Sequence, residues 1–245
     1  MGKVSPDDPL FDIIEDAYRV FAYPKPKSIE VCEGCCMDAA VEADFFNPPI
    51  RELPLSYVQD WYFAAYQPSG IAKETWAYLL PRILEILAAG QEVSSIGIEV
   101  SLSRFQTGNP EHWSAREWDV IDRFQRGFLK QKIGPDEDYL DDVVCMFALA
   151  GWAVEDLVKQ VSTAPDAALA RRFWNDWCRY VVPGREDVWI TAFWEGHGRS
   201  TAYNFYTSPD LHDRMLRLAL GKLTEPELGE KAFAVASVIE GSEMG

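Results

Sequence analysis

Residues 71–90 read IAKETWAYLLPRILEILAAG, and this stretch decides the fold class. Trp76, Leu79, Leu80, Ile83, Leu84, Ile86 and Leu87 recur mostly at three- and four-residue steps. That spacing places one broad apolar face on a helix from about Ala72 to Ala89, and Gly90 supplies its stop. Pro81 removes one backbone hydrogen bond and crowds the carbonyl four residues earlier, so a kink is expected near Ala77. Upstream, Pro68-Ser69-Gly70 breaks the chain. Before it lies an aromatic-rich helix from Tyr57 to about Tyr66, with Ser56 as its expected N-cap. Asn47-Pro48-Pro49 ends a shorter helix from Met37 to Phe46.

Cys32, Cys35 and Cys36 form a C-x-x-C-C cluster ahead of these helices. Two thiolates at that spacing can grip one zinc ion, which makes these three the candidate metal ligands. A closed site takes four ligands. Cys145 and Cys178 are isolated and His112, His197 and His212 are scattered, so no fourth ligand is nominated. A redox dithiol competes, but thioredoxin-like proteins place that motif after a strand in a βαβ unit, and no such pattern occurs here. The plainest reading makes the cysteines small apolar groups at a helix-entry turn. No cofactor is expected beyond the zinc that this cluster leaves open.

The cysteine pair, the Pro54-Leu55 helix start, the aromatic helix after it and Leu80-Pro81-Arg82 together resemble a family of uncharacterised bacterial proteins. Cys32, Cys35, Leu80, Pro81 and Arg82 match that family's motif, over about a quarter of the chain. Cys36 departs from it. The resemblance implies an all-helical bacterial protein and carries no catalytic residues.

The remaining segments also read as helices. Asp8 caps a first helix whose buried face holds Leu10, Ile13, Ile14, Ala17, Tyr18 and Phe21. Val93–Phe105 alternates like a strand in IGIEVSL. A lone strand would lack a partner, so a helix over Ser95–Phe105 is expected. Ser114 and Glu117 form a capping box for a helix from Ala115 to about Lys132. Val143–Val161 predicts two helices or one bent helix, with Gly151 inside. Further helices are expected over Ala167 to about Val181, Val188–Trp194 with Asp187 as cap, Pro209–Leu220 and Glu225–Ile239. The expected architecture is all-α, about ten helices in an irregular antiparallel array or a helical-repeat solenoid, forming one domain over residues 1–245.

Two polar clusters stand out. Five acids fall within the seven residues Asp136–Asp142. At a helix N-terminus they complement the helix dipole. Asp136, Glu137, Asp138, Asp141 and Asp142 also form a candidate docking patch for a basic partner. Carboxylates suit a divalent cation too, but the spacing is not that of an EF-hand. Glu195-Gly196-His197-Gly198-Arg199-Ser200 mixes an acid, a histidine and an arginine in an expected loop. That chemistry allows acid–base work, although a lone histidine is rarely a site.

The chain of 245 residues carries a formal net charge of −16, with 48% hydrophobic residues, enough for a sizeable core. Such charge disfavours nucleic acid and anionic membranes and favours a basic partner. No apolar run is long enough for a membrane span, and the N-terminus lacks signal-peptide regions. The odd cysteine count then points to the cytoplasm. No nucleophile elbow, P-loop or dinucleotide fingerprint occurs, so no catalytic residue is nominated. The leading expectation is a non-catalytic, acidic protein-binding protein, concretely an immunity protein covering the basic site of a bacterial toxin. The alternatives are a zinc-dependent hydrolase and a structural zinc-bearing adaptor.

Overall fold

The computed structural model describes residues 3–32, 36–134, 138–179 and 187–242. Among them the fold is all-α, with eleven α-helices and three short 3-10 turns. The β-pairing among the described residues is a single antiparallel bridge, Val31 with Ala65. No helix among them is long and apolar enough to cross a membrane. Where the sequence reads as one domain, the backbone groups into two compact units. Unit 1 comprises Met1–Phe128 with Leu149–Trp152, and unit 2 comprises Leu129–Ala148 with Ala153–Gly245.

Unit 1 contains α1 (Phe11–Val20), α2 (Ala39–Asp44), α3 (Leu55–Ala64), α4 (Lys73–Ala88) and most of α5 (Ala115–Lys132). Its centre is α4, and α1 packs against it. The sequence predicts one apolar face for α4. Instead every residue from Thr75 to Leu87 is buried, Arg82 and Glu85 included. A helix enclosed on all sides must pair any charge it carries. Arg82 Nε accordingly donates to the Leu53 carbonyl at 3.0 Å, and its Nη1 reaches Glu85 Oε2 at 2.6 Å. The Tyr18 hydroxyl, from α1, donates to the same carboxylate oxygen at 2.7 Å. Burial, and then the neighbouring Glu85 carboxylate, push the Tyr18 phenol well up. Pro81 lies within the helix without ending it.

One cap expectation shifts and another holds. Asp8 accepts from the Leu10 N–H at 2.8 Å, but α1 begins at Phe11 with Leu10 in the N-cap position and no side-chain cap bond. The Ser114–Glu117 box closes in both directions, with Ser114 N donating to Glu117 Oε2 at 2.8 Å and Glu117 N to Ser114 Oγ at 3.3 Å. α3 begins two residues earlier than expected, at Leu55, with Pro54 rather than Ser56 in the N-cap position and no side-chain cap bond. Residues 93–105 form neither a helix nor a strand. Ile98–Val100 is a 3-10 turn, continued by backbone bonds from Ser101 N to Ile98 O and from Ser103 N to Val100 O. Local three-residue bonds of this kind take the donors that either regular structure would need.

A tight backbone approach closes unit 1. Gly108 N donates to the Ala150 carbonyl at 2.8 Å, and the Trp118 and Trp152 rings stack with centroids 6.2 Å apart. A Cβ on Gly108 would lie 2.4 Å from the Trp152 ring and 2.5 Å from the Trp152 amide nitrogen. Gly108→Ala is therefore expected to cost about 1–3 kcal/mol through overpacking. Urea unfolding followed by tryptophan fluorescence checks this, and an unchanged midpoint would refute the close approach.

Unit 2 contains α6 (Leu140–Leu149) but for its last residue, α7 (Val154–Ser162), α8 (Asp166–Trp177), α9 (Gly196–Tyr206), α10 (Pro209–Ala219) and α11 (Pro226–Ser242). The apolar run 143–161 thus resolves into two helices. Gly151 separates them at a φ of 102°, a conformation that side-chain-bearing residues rarely adopt. α11 packs on both α8 and α10, and α9 packs on α7. Two expectations are overturned here. Residues 188–194 are not helical, because their donors are taken from outside. Val188 N bonds Ser242 Oγ at 3.2 Å and Thr191 N bonds Asp141 Oδ2 at 2.6 Å. The glycine-flanked segment 195–200, read as a loop, instead opens α9.

Candidate functional site

Unit 2 holds a cleft of about 680 Å³. One wall is aromatic: the Tyr139 and Trp189 rings lie 4.7 Å apart, and Trp177 stacks on Phe173 at 4.3 Å with planes 6° apart. The other is the first two turns of α9, where Arg199, Ser200, Tyr203 and Asn204 face the space. Residues four apart on a helix share a face, which is why Arg199 aligns with Tyr203 and Ser200 with Asn204.

Beneath the cleft runs a buried polar network. Arg172, with a fully buried side chain, forms an ion pair through its Nη2 with Asp176 Oδ1, four residues along α8. Its Nε donates to Asp176 Oδ2 at 3.1 Å, and Leu140 N reaches the same oxygen at 3.3 Å. Asp176 also lines the cleft. Asp141 lies deeper, 4% exposed on α6. It accepts from Thr191 N at 2.6 Å and from Trp194 Nε1 at 3.1 and 3.0 Å, which fixes segment 188–194. The wholly buried Tyr206 hydroxyl faces the same carboxylate without a well-formed hydrogen bond.

Burial raises the Asp141 carboxyl to about 6, against the opposing pull of its donors. An unfolded aspartate titrates near pH 3.9, so between about pH 4 and 6 the folded state holds the proton more tightly. The stability from this group is fully present below the unfolded value and lost as pH rises through the folded one. Asp141→Asn removes that dependence. Wild-type stability relative to the variant should fall by up to about 1.4 kcal/mol per pH unit across that window. Chemical denaturation at a series of pH values measures it, and a difference that stays flat would show that Asp141 is not the titrating group.

The residues nominated from the sequence fare unevenly. Cys32 is disulfide-bonded, and Cys35 lies outside the described residues. Cys36 is exposed and not in a disulfide. A sulfur committed to a disulfide has no thiolate to offer a metal, so zinc held through Cys32 requires prior reduction. Among the described residues no three His, Cys, Asp or Glu side chains gather in a metal-holding group. Of the acidic run, Asp136 and Glu137 lie outside the described residues. Asp138 pairs with Lys132 at 2.5 Å, and Asp142 is half-buried in the first turn of α6. Asp141 corrects the docking-patch expectation: it points inward, because its carboxylate satisfies buried donors. His197 is exposed, 3.1 Å from Thr201 Oγ1 and 3.7 Å from Glu155. Its neighbours Arg199 and Ser200 line the cleft. Tyr139, Trp177, Trp189 and Tyr203 come from separate positions in the chain and carry no local sequence signal of convergence.

A second surface lies in unit 1 on α3. Ser56, Asp60 and Phe63 follow at helical spacing on its exposed side. Phe63 and Tyr66 are each 61% exposed. The cysteine turn anchors the end of this helix: Cys32 N donates to Ala64 O and Tyr66 N to Glu30 O, both at 3.0 Å. The face is therefore carried on a fixed backbone. Comparison with family models, curated proteins and solved structures finds no match to this chain.

Proposed function

We propose that this protein works by binding a basic protein partner, met through the exposed face of α3, and has no chemistry of its own. The observation that carries this reading is the pair of exposed aromatic rings, Phe63 and Tyr66, beside the exposed carboxylate of Asp60 in a chain of net charge −16. Aromatic side chains dominate binding energy where they fill a partner's pocket, and acidic surroundings speed and select a basic partner. Phe63 lies in the last turn of α3 and Tyr66 just beyond it, on backbone tied by the Cys32–Ala64 and Tyr66–Glu30 hydrogen bonds, so little backbone ordering is left to lose on association. A concrete form of this activity is an immunity protein that covers the basic site of a bacterial toxin.

The test uses basic proteins encoded beside this gene, titrated calorimetrically against the full chain. Phe63→Ser with Tyr66→Ser should weaken binding by about tenfold or more, as loss of interface anchors does. Folding should change little, because exposed sites typically shift stability by no more than about 0.5 kcal/mol. Unchanged affinity in that double variant would move the interface elsewhere. Failure of every basic neighbour to bind, with no rescue of toxin-expressing cells, would end the reading.

A further inference from the structure

The cleft of unit 2 carries a charge that the fold does not use. Arg172 at its base is taken up by Asp176. Arg214, in the same unit, is occupied by Asp166 and by the Ser162 and Ala164 carbonyls, at 2.7, 2.7 and 2.9 Å. Arg199, which lines the cleft, has no hydrogen-bond or ion-pair partner among the described residues. In a chain with 39 acidic and 23 basic residues, a guanidinium left without a carboxylate is poised for an incoming anion. Ser200, Tyr203 and Asn204 add a hydroxyl, a phenol and an amide along the same wall.

The facing wall is suited to a ring. Trp189 is 42% exposed and Tyr139 39% exposed, although the two rings meet at a tilt of 41°. Rings left open to solvent beside a cleft gain from an aromatic face laid against them. The carboxylates that line the space are partly committed. Asp176 is neutralised by Arg172, and Asp187 Oδ1 accepts the Ser242 hydroxyl at 2.8 Å. The volume of about 680 Å³ falls within the range of small-molecule sites. The acidic net charge opposes an anion only over distances that salt screens, beyond roughly 8 Å at physiological ionic strength. At contact, Arg199 is the cation among the residues that line the cleft.

We infer that this cleft binds a small aromatic carboxylate, its anionic group on Arg199 and its ring against Trp189. This site is separate from the α3 face and stands or falls without it.

The probes are 2-naphthoate, 2-naphthylmethylamine and 2-naphthalenemethanol, which share a ring system and differ in charge. Saturation-transfer NMR on the full chain should show naphthoate binding at about 1 mM or tighter, as expected of a ligand with roughly a dozen heavy atoms. The amine and the alcohol should bind at least about tenfold more weakly. Arg199→Gln and Trp189→Ala should each lower naphthoate affinity by about fivefold or more with the circular dichroism spectrum unchanged, and Arg199→Gln, at an exposed side chain, should also leave the melting temperature unchanged. An amine that binds as well as naphthoate would make this a cation site and overturn the inference. So would an Arg199→Gln variant with wild-type affinity, or no saturation transfer from naphthoate at about 5 mM, several times the expected Kd.

Discussion

Arg172→Leu is expected to destabilise unit 2 by about 3–5 kcal/mol, the usual cost of removing one partner from a buried ion pair. The Arg172 side chain is fully buried, and it supplies the charge that balances Asp176. Leucine fills part of the volume but leaves the Asp176 carboxylate, 8% exposed, without its counter-charge, with Leu140 N still donating to it. Replacing both partners, Arg172→Leu with Asp176→Leu, should recover much of the loss, because an apolar pair carries no desolvation penalty. Urea unfolding with hydrogen exchange at α6 and α8 reads the effect locally. A single variant within about 1 kcal/mol of wild type would mean that the pair is not holding these helices. The same substitution disturbs Asp176 where it lines the cleft, so it cannot stand in for Arg199 as a probe of ligand binding.

Arg82→Leu should produce a loss of similar size in unit 1, again about 3–5 kcal/mol. Arg82 bonds both Glu85 and the Leu53 carbonyl. Without it, Glu85, 7% exposed, keeps the Tyr18 hydroxyl but loses its balancing charge, and the chain ahead of α3 loses its tie to α4. Arg82→Lys should recover only part of the stability, since an ammonium cannot reproduce the planar fork that reaches two acceptors at once. Amide exchange in α1 and α3 should quicken in Arg82→Leu, and wild-type protection there would contradict the assignment. The Leu-Pro-Arg motif, which in sequence looks like part of an amphipathic helix, thus holds the charge that lets the centre of unit 1 close.

What the sequence revealed follows from whether the signal is local. α1, α4 and α5 were legible because apolar spacing and caps act within a few residues: Asp8 before α1, Gly90 after α4, and the Ser114–Glu117 box. The full enclosure of α4 is not, because the groups that satisfy Arg82 and Glu85, the Leu53 carbonyl and the Tyr18 hydroxyl, lie outside the helix. Residues 188–194 misled for a related reason. Their composition suits a helix, yet Asp141 and Ser242 take the backbone donors of Thr191 and Val188. Asp141 is one more acid in a run, and nothing in that run distinguishes an inward carboxylate from its neighbours. The cleft was the least legible feature, because Tyr139, Trp177, Trp189 and Arg199 come from segments far apart in the chain. Arg199 and Ser200 stand out in sequence only as part of the glycine-flanked polar cluster around His197.

The measurement that bears most directly on partner binding is its salt dependence. The full chain is titrated with a basic protein encoded beside its gene at about 50 mM and about 500 mM salt, a range over which the screening length falls from roughly 14 Å to 4 Å. Affinity should drop by about tenfold or more at the higher salt, chiefly through slower association, as steering by an acidic surface requires. Affinity that holds constant across that range would contradict it.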